Sequence, residues 1–268
     1  MASMGSIGVF DSGFGGLSVL QAIRLHLPHE SVTYFADSAH APYGEKSDGF
    51  IKSRSTAIAR WLVQEGAKIL VVACNTATAH AIESLRGELK IPVVGVEPGF
   101  KPAVTASASG VIGVLATAAT LRSERFQARL IEHGNTCRFV CQAGHGLVEL
   151  IERGDTAGPE VDALLLTYLT PMAEAGVDTV ILGSTHFALL GPSIRKLFGN
   201  RFRLIETRDA LARRTVSLLD QLKLHRSIHG GATLRLCSSV ASDEQLQRLE
   251  KFAAQFAGVG CAAESVQI

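Results

Sequence analysis

The chain reads as an α/β protein of two pseudo-symmetric open domains whose mainly parallel sheets face each other across a central cleft. Three observations predict this. Short β-branched apolar runs alternate with helix-length amphipathic segments along the whole sequence, the pattern of βα units. The run 69–73 shows no polar alternation, as expected of a strand covered on both faces, and it ends on Cys74-Asn75-Thr76. The chain also repeats itself. Residues 179–182 followed by Gly183-Ser184-Thr185-His186 echo that strand and elbow, and residues 7–13 are echoed by 112–118. Ile7 and Ile112 stand 105 residues apart, Cys74 and Ser184 110 apart. Two halves of one ancestral pattern therefore each bring a polar elbow to a strand end. Open α/β sheets hold ligands at those ends, so facing halves put Cys74 and Ser184 on opposite sides of one cleft.

Composition narrows the function classes. With 268 residues and 47% hydrophobic content, the chain can bury a full core. A formal net charge of +1 argues against nucleic acid or a membrane surface as the main partner. The apolar runs are strand-sized, and residues 1–5 lack the charged and apolar regions of a secretory signal, so a cytoplasmic protein is expected. Five cysteines (74, 137, 141, 237 and 261) show neither disulfide nor metal-ligand spacing, and reduced thiols with no bound metal are expected.

In order, residues 6–10 form a first strand that runs into Asp11-Ser12-Gly13-Phe14-Gly15-Gly16 and an amphipathic helix stopped by Pro28. Neither G-x-G-x-x-G nor a P-loop is present, and Asp11 has no second carboxylate nearby to hold magnesium, which argues against phosphate chemistry. Val32–Ala36 is a strand, and Asp37 to Glu45 is a loop with a Pro42-Tyr43-Gly44 turn. A helix over 48–66 buries Ile51, Ile58, Trp61 and Leu62. After the Cys74 strand comes a helix to residue 89, which Asn75 and Thr76 can cap, and then a strand over 91–96. Glu97-Pro98-Gly99 marks the crossover between domains.

The second half begins with strand Val111–Ala116, a helix from Thr117 through about 132, and a short strand over 138–141. Residues 147–154 are apolar and acidic, a helix covers 159–175, and a helix after Ser184 runs to about 198, before strand Arg203–Ile205. The remainder (helix 209–222, strand 233–237, helix 242–256) falls outside the repeat and returns to the first domain. The expected division is 1–97 with 208–268, and 98–207.

These motifs resemble the aspartate/glutamate racemase family along nearly the whole chain. They run in order: Phe10-Asp11-Ser12-Gly13-x-Gly15-Gly16, Tyr34-Phe35-Ala36-Asp37, Pro42-Tyr43-Gly44, Ala73-Cys74-Asn75-Thr76-Ala77, Gly95-Val96-Glu97-Pro98, Thr117 with Thr120, the 147–154 segment, and Gly183-x-Thr185-His186. The resemblance implies two α/β domains enclosing a small amino acid, glutamate, with no cofactor and with D-glutamate destined for peptidoglycan; it leaves a homodimer open. The implied acid/base residues are Cys74 and position 184, with Asp11, Glu152 and His186 assisting. Ser12, Tyr43, Gly44, Asn75, Thr76, Thr117, Thr120 and Thr185 would join Asp11 and His186 in binding substrate. Each also has a plain structural reading: Asp11 and Ser12 as helix caps, His186 as a helix-start residue, Glu152 as a solvated one.

The chemistry makes sense of a repeat. Inverting an α-carbon without a cofactor takes a weakly acidic proton from one face and returns one to the other, which calls for two opposed groups. A thiol suits this work if a helix N-terminus lowers its pKa. The family pattern carries a second Cys where this chain has Ser184, and Tyr-Pro where it has Phe187-Ala188. A serine hydroxyl can return a proton but scarcely remove one. In the family, the thiol matching Cys74 deprotonates D-glutamate, so exchange or slow one-way inversion from that face is expected. Three readings of Ser184 stand: an introduced Cys→Ser exchange, a natural variant with His186 acting through Ser184, or a racemase scaffold in another role. That role would be a racemase or lyase for aspartate or another acid, or a non-catalytic binding or inhibitory protein.

Overall fold

A computed structural model describes residues 5–226 and 231–268. The leader at 1–4 lies outside the described residues. Every strand pair among them is parallel. The chain opens β1 (Ser6–Asp11), α1 (Leu17–His26), β2 (Val32–Ala36), α2 (Asp48–Gln64), β3 (Ala67–Val72), α3 (Asn75–Glu88) and β4 (Val93–Gly95). It continues through α4 (Phe100–Ala106), β5 (Val111–Ala116), α5 (Ala118–Arg122), α6 (Glu124–His133), β6 (Arg138–Ala143), α7 (Leu147–Arg153), α8 (Pro159–Glu174) and β7 (Thr179–Gly183). It closes with α9 (Gly191–Phe198), β8 (Arg203–Ile205), α10 (Arg208–Gln221), β9 (Leu234–Ser238), α11 (Asp243–Ala257) and β10 (Ala263–Ser265).

The strands make a six-stranded sheet in the order β10-β9-β2-β1-β3-β4 and a four-stranded sheet in the order β6-β5-β7-β8. The run β2-β1-β3-β4 has the connectivity of β6-β5-β7-β8, so the repeat seen in the residues is also a repeat of topology. In each sheet the first strand sends one crossover to its left and the next to its right. The crevice at that reversal is where an α/β sheet takes a ligand. Asp11 ends β1 and Cys74 follows β3; Thr117 follows β5 and Ser184 follows β7. β9 and β10 come from the tail and extend the first sheet.

Burial explains why these segments are strands. All six residues of β3 and all five of β7 are buried, because helices cover both faces of each sheet. Fully burying one such Val, Leu or Ile side chain contributes about 1.5–3 kcal/mol. No helix among the described residues is long and apolar enough to cross a membrane.

Local corrections have local causes. The expected helix from Thr117 to 132 is two helices, α5 and α6, broken at Ser123 (φ −66°, ψ 140°), whose hydroxyl accepts from Phe126 N–H to cap the second. The helix after Ser184 begins as a 3-10 turn, His186–Leu190, and becomes α-helical only at Gly191. Trp61 is half-buried at the edge of the sheet, against Phe35 and the Arg235 guanidinium. Asn75 and Thr76 are first-turn residues of α3, and the cap is Cys74 itself, whose sulfur accepts from Ala77 N–H at 3.4 Å. Helix α4 and the edge strand β10 were not anticipated: α4 is seven residues long and contains Pro102, and β10 is three mostly exposed residues.

Candidate active site

The glycine-rich loop after β1 is the seam between the two halves. Tyr34 on β2 donates its hydroxyl to Gly13 O (2.7 Å), and Gly16 N–H donates to Asp11 Oδ2 (2.9 Å). Between them, Phe14 N–H donates to Glu152 Oε1 (2.6 Å), a residue of α7 in the second half. A side chain on Gly13 would overlap the Glu152 carboxylate, and one on Gly15 would overlap the His186 ring. These glycines are required for close approach across the seam. Gly15→Ala is accordingly expected to cost about 1–3 kcal/mol of stability and to displace His186, with at least a tenfold loss of any α-proton exchange; thermal melts and exchange kinetics check it.

His186 sits at this seam, 2% exposed. Its Nε2 lies 2.6 Å from Glu152 Oε1, and Gly15 N–H also points at that nitrogen from 3.3 Å. Its Nδ1 lies 3.9 Å from Asp11 Oδ2. Burial favours the neutral ring, but the Glu152 hydrogen bond and the Asp11 and Glu152 charges outweigh it and raise the imidazole above its ordinary value. Both ring nitrogens thus face carboxylates. Among the described residues, no hydrogen bond joins His186 to Ser184, so the reading of His186 as a base working through Ser184 has no geometric support.

On the first half, Cys74 Sγ lies 3.5 Å from Ser12 Oγ. Burial, followed by the Asp11 carboxylate, pushes this thiol up to about 12, against the hydrogen bonds with Ser12 and Ala77 that favour a thiolate. The expectation that the helix N-terminus would lower the pKa is corrected: the Ala77 and Ser12 amide contacts are outweighed by full burial beside an acid. Cys74 therefore rests as a thiol. Thiolate is the alkylating species, so the rate at which iodoacetamide labels Cys74 should climb about tenfold per pH unit from pH 7 to 9 without levelling near the ordinary thiol pKa of about 8.5. Peptide-level mass spectrometry separates this site from exposed Cys141.

The remaining residues converge on the same seam. Thr76 Oγ1 lies 2.9 Å from Thr117 Oγ1 and 3.3 Å from Thr120 Oγ1, and Thr117 also caps α5 through Thr120 N–H (3.2 Å). Gly44 packs so closely on Thr117 that a Cβ there would meet Thr117 Cβ at 2.8 Å. The Tyr43 hydroxyl is already engaged by a buried acid. It donates to Asp37 Oδ2 (2.5 Å), a carboxylate also held by Arg54 Nε and Nη2 (2.9 and 2.7 Å). Thr185 Oγ1 lies 3.4 Å from Asp11 Oδ1. Asn75 and Ser184 line one small cavity of about 10 Å³ with Glu206, Thr207 and Arg208. A second cavity of about 20 Å³ lies between Gly44 and Thr117 and the 144–149 segment. Each is about the size of one water, so neither admits a larger ligand as the halves stand. The rim pairs Arg122–Asp48 and His145–Glu45 join exposed side chains and resist parting only weakly.

Tyr34, Asp37 and Arg54 were not assigned to the site in the sequence reading. The tetrad Tyr34-Phe35-Ala36-Asp37 carries the available signal, a hydroxyl inside an otherwise apolar strand and a carboxylate just after it. A separate cavity of about 360 Å³, lined by Glu97, Lys101, Arg129, His133 and Arg214 among others, holds none of the expected site residues and shares Thr207 with the small cavity at Ser184.

A family model described as Asp/Glu/Hydantoin racemase matches residues 16–215. The chain is 48% identical to the glutamate racemase of Cupriavidus pinatubonensis over 262 residues, 98% of this chain and 95% of that one. It is 58% identical to the glutamate racemase of Ralstonia nicotianae over 207 residues, 77% of this chain and 75% of that one. In three dimensions it resembles the Escherichia coli glutamate racemase solved with L-glutamate and the activator UDP-MurNAc-Ala (TM-score 0.86, 31% identity, 98% of each chain covered).

Proposed function

The chain belongs to the Asp/Glu/hydantoin racemase family as an amino-acid isomerase of the glutamate racemase type, and we propose that it moves the α-proton of glutamate with Cys74 as its one catalytic thiol and Ser184 as a hydroxyl donor opposite. The observation that carries this reading is the convergence, at one buried seam, of Asp11, Ser12 and Cys74 from the first sheet with Glu152, Thr185 and His186 from the second.

In this reading the substrate ammonium displaces part of the charge imbalance created by Asp11, which raises the Cys74 pKa in the free protein. With a cation bound, the Cys74 thiol loses its proton to solvent more readily, and the resulting thiolate takes the α-proton of D-glutamate and becomes a thiol again. The imidazolium of His186, held by Glu152, and the Thr76, Thr117, Thr120 and Thr185 hydroxyls and adjacent amides stabilise the carboxylates and the developing carbanion. Ser184 returns its hydroxyl proton on the other face at low efficiency, and the oxygen regains a proton from water. The proposed domain division, 1–97 with 208–268 and 98–207, is supported by the sheet membership of β9 and β10. A cytoplasmic supply of D-glutamate for peptidoglycan is the corresponding biological role.

The test is NMR of D-glutamate and, separately, L-glutamate in D₂O, with the enantiomers assayed in parallel. Deuterium entering D-glutamate with little inversion is the expected result. Full inversion in both directions would make Ser184 a working base and overturn the one-thiol assignment. No exchange from either enantiomer would move the reading to another acidic substrate or to a binding protein on this scaffold.

A further inference from the structure

We infer that Tyr34 is a positioning residue for this proton transfer, holding the 13–16 loop so that its amides meet Glu152 and Asp11 together. The inference rests on the proposed function for its kinetic consequence, and on geometry for its structural one.

Tyr34 lies in the middle of the first sheet, paired with Val9 on one side and Leu236 on the other, and its side chain is wholly buried. A buried phenol needs a partner for its hydroxyl. Here the partner is Gly13 O, at 2.7 Å. That carbonyl belongs to the peptide whose nitrogen is Phe14 N, the donor to Glu152 Oε1. Fixing one end of a rigid peptide plane fixes the direction of the other. Two residues on, Gly16 N–H meets Asp11 Oδ2. One hydroxyl thus sets the orientation of a loop that touches both carboxylates flanking His186.

The ionisable groups facing Tyr34 are Asp11, Glu152 and Cys74; burial first, and then these three, raise the phenol well above its ordinary value, so it stays a donor. Those facing His186 are Glu152, Asp11 and Glu149. Tyr34 touches neither the His186 ring nor the Cys74 sulfur through any hydrogen bond among the described residues, and so acts through the loop.

The experiment is Tyr34→Phe in the full chain, which keeps the ring and removes one donor. Two quantities are read: kcat and KM for α-proton exchange of D-glutamate, and the ¹⁵N shifts of the His186 ring as a function of pH. The expected result is a kcat about tenfold lower, the scale of one buried hydrogen bond, with KM changed less than about threefold. The His186 titration should move to lower pH, because a loosened loop weakens the Glu152 contact that raises it. A merely structural tyrosine would lower the melting temperature and leave both readouts in place; that outcome in the folded variant overturns the inference. Should Tyr34→Phe not fold, 3-fluorotyrosine at position 34 keeps the ring and strengthens the donor: His186 shifts that move support the inference, and shifts that stay overturn it. The ring shifts need no turnover, so a chain that exchanges no α-proton counts against the glutamate reading alone.

Discussion

Ser184→Cys is expected to raise glutamate racemisation by about 10²- to 10⁴-fold, the usual worth of a positioned acid/base group. Ser184 is buried at the elbow after β7, the topological counterpart of the Cys74 elbow after β3. What it lacks is acidity. A thiol ionises near 8.5 when unperturbed, whereas an alkyl hydroxyl offers almost no conjugate base near neutral pH. Among the described residues no side chain compensates: the His186 nitrogens face Asp11 and Glu152. The gain in kcat/KM should be the same in both directions, since the enantiomers are equal in free energy, while α-proton exchange should rise more for L-glutamate, whose proton in this reading lies on the Ser184 face, than for D-glutamate. Initial rates in both directions by circular dichroism, with exchange by NMR in D₂O, decide it. An unchanged rate would sink the two-thiol account of this site.

Arg54→Ala is expected to cost about 3–5 kcal/mol of stability at neutral pH, because it strands a fully buried carboxylate. Asp37 accepts two bonds from Arg54 and one from Tyr43, its Oδ1 also lies 3.0 Å from Nδ1 of the partly exposed His40, and its side chain has no exposure. Burial alone would raise the Asp37 pKa, but the Arg54 and Tyr43 hydrogen bonds and the Arg54 charge hold it below the ordinary carboxylate value. The sign follows by linkage. A carboxyl lowered in the folded state contributes stability above its unfolded pKa near 3.9, and that contribution is lost as pH falls through the folded value. In Arg54→Ala the same carboxyl is buried without its cation and its folded pKa rises. The deficit should then be greatest at neutral pH and shrink on acidification toward pH 4. Urea melts of both proteins at pH 7 and pH 5 test this. Because Tyr43 hangs on the same carboxylate, the turn that brings Gly44 against Thr117 should loosen in the variant, and KM for the substrate should rise.

How far the residues foretold the molecule depends on what each feature responds to. The strands β2, β5 and β8 were legible to the residue because burial on both faces, or a clear turn on each side, leaves little choice of register. The break at Ser123 was not, since 118–133 is good helix throughout and only a serine turned to cap α6 divides it. The same holds at the site. The ordered motifs placed Asp11, Cys74, Glu152 and His186 in one protein, and the repeat put their strand ends on facing elbows. The Tyr34 contact with Gly13 O and the Arg54 clamp on Asp37 join residues 21 and 17 positions apart, and no periodicity records them.

The sequence by itself determined the α/β class, the repeat, the family and the absence of a thiol at position 184, because these depend on residue identity and order. Only the tertiary structure decided the state of the groups that do chemistry. The Cys74 thiol is raised, against the expectation from its helix, because full burial beside Asp11 outweighs the Ala77 and Ser12 hydrogen bonds. The His186 ring is held toward its cation because two carboxylates distant in sequence close on it. Proton affinity is set by desolvation and by charge at a few ångströms, and both come into being only when the two sheets are brought together.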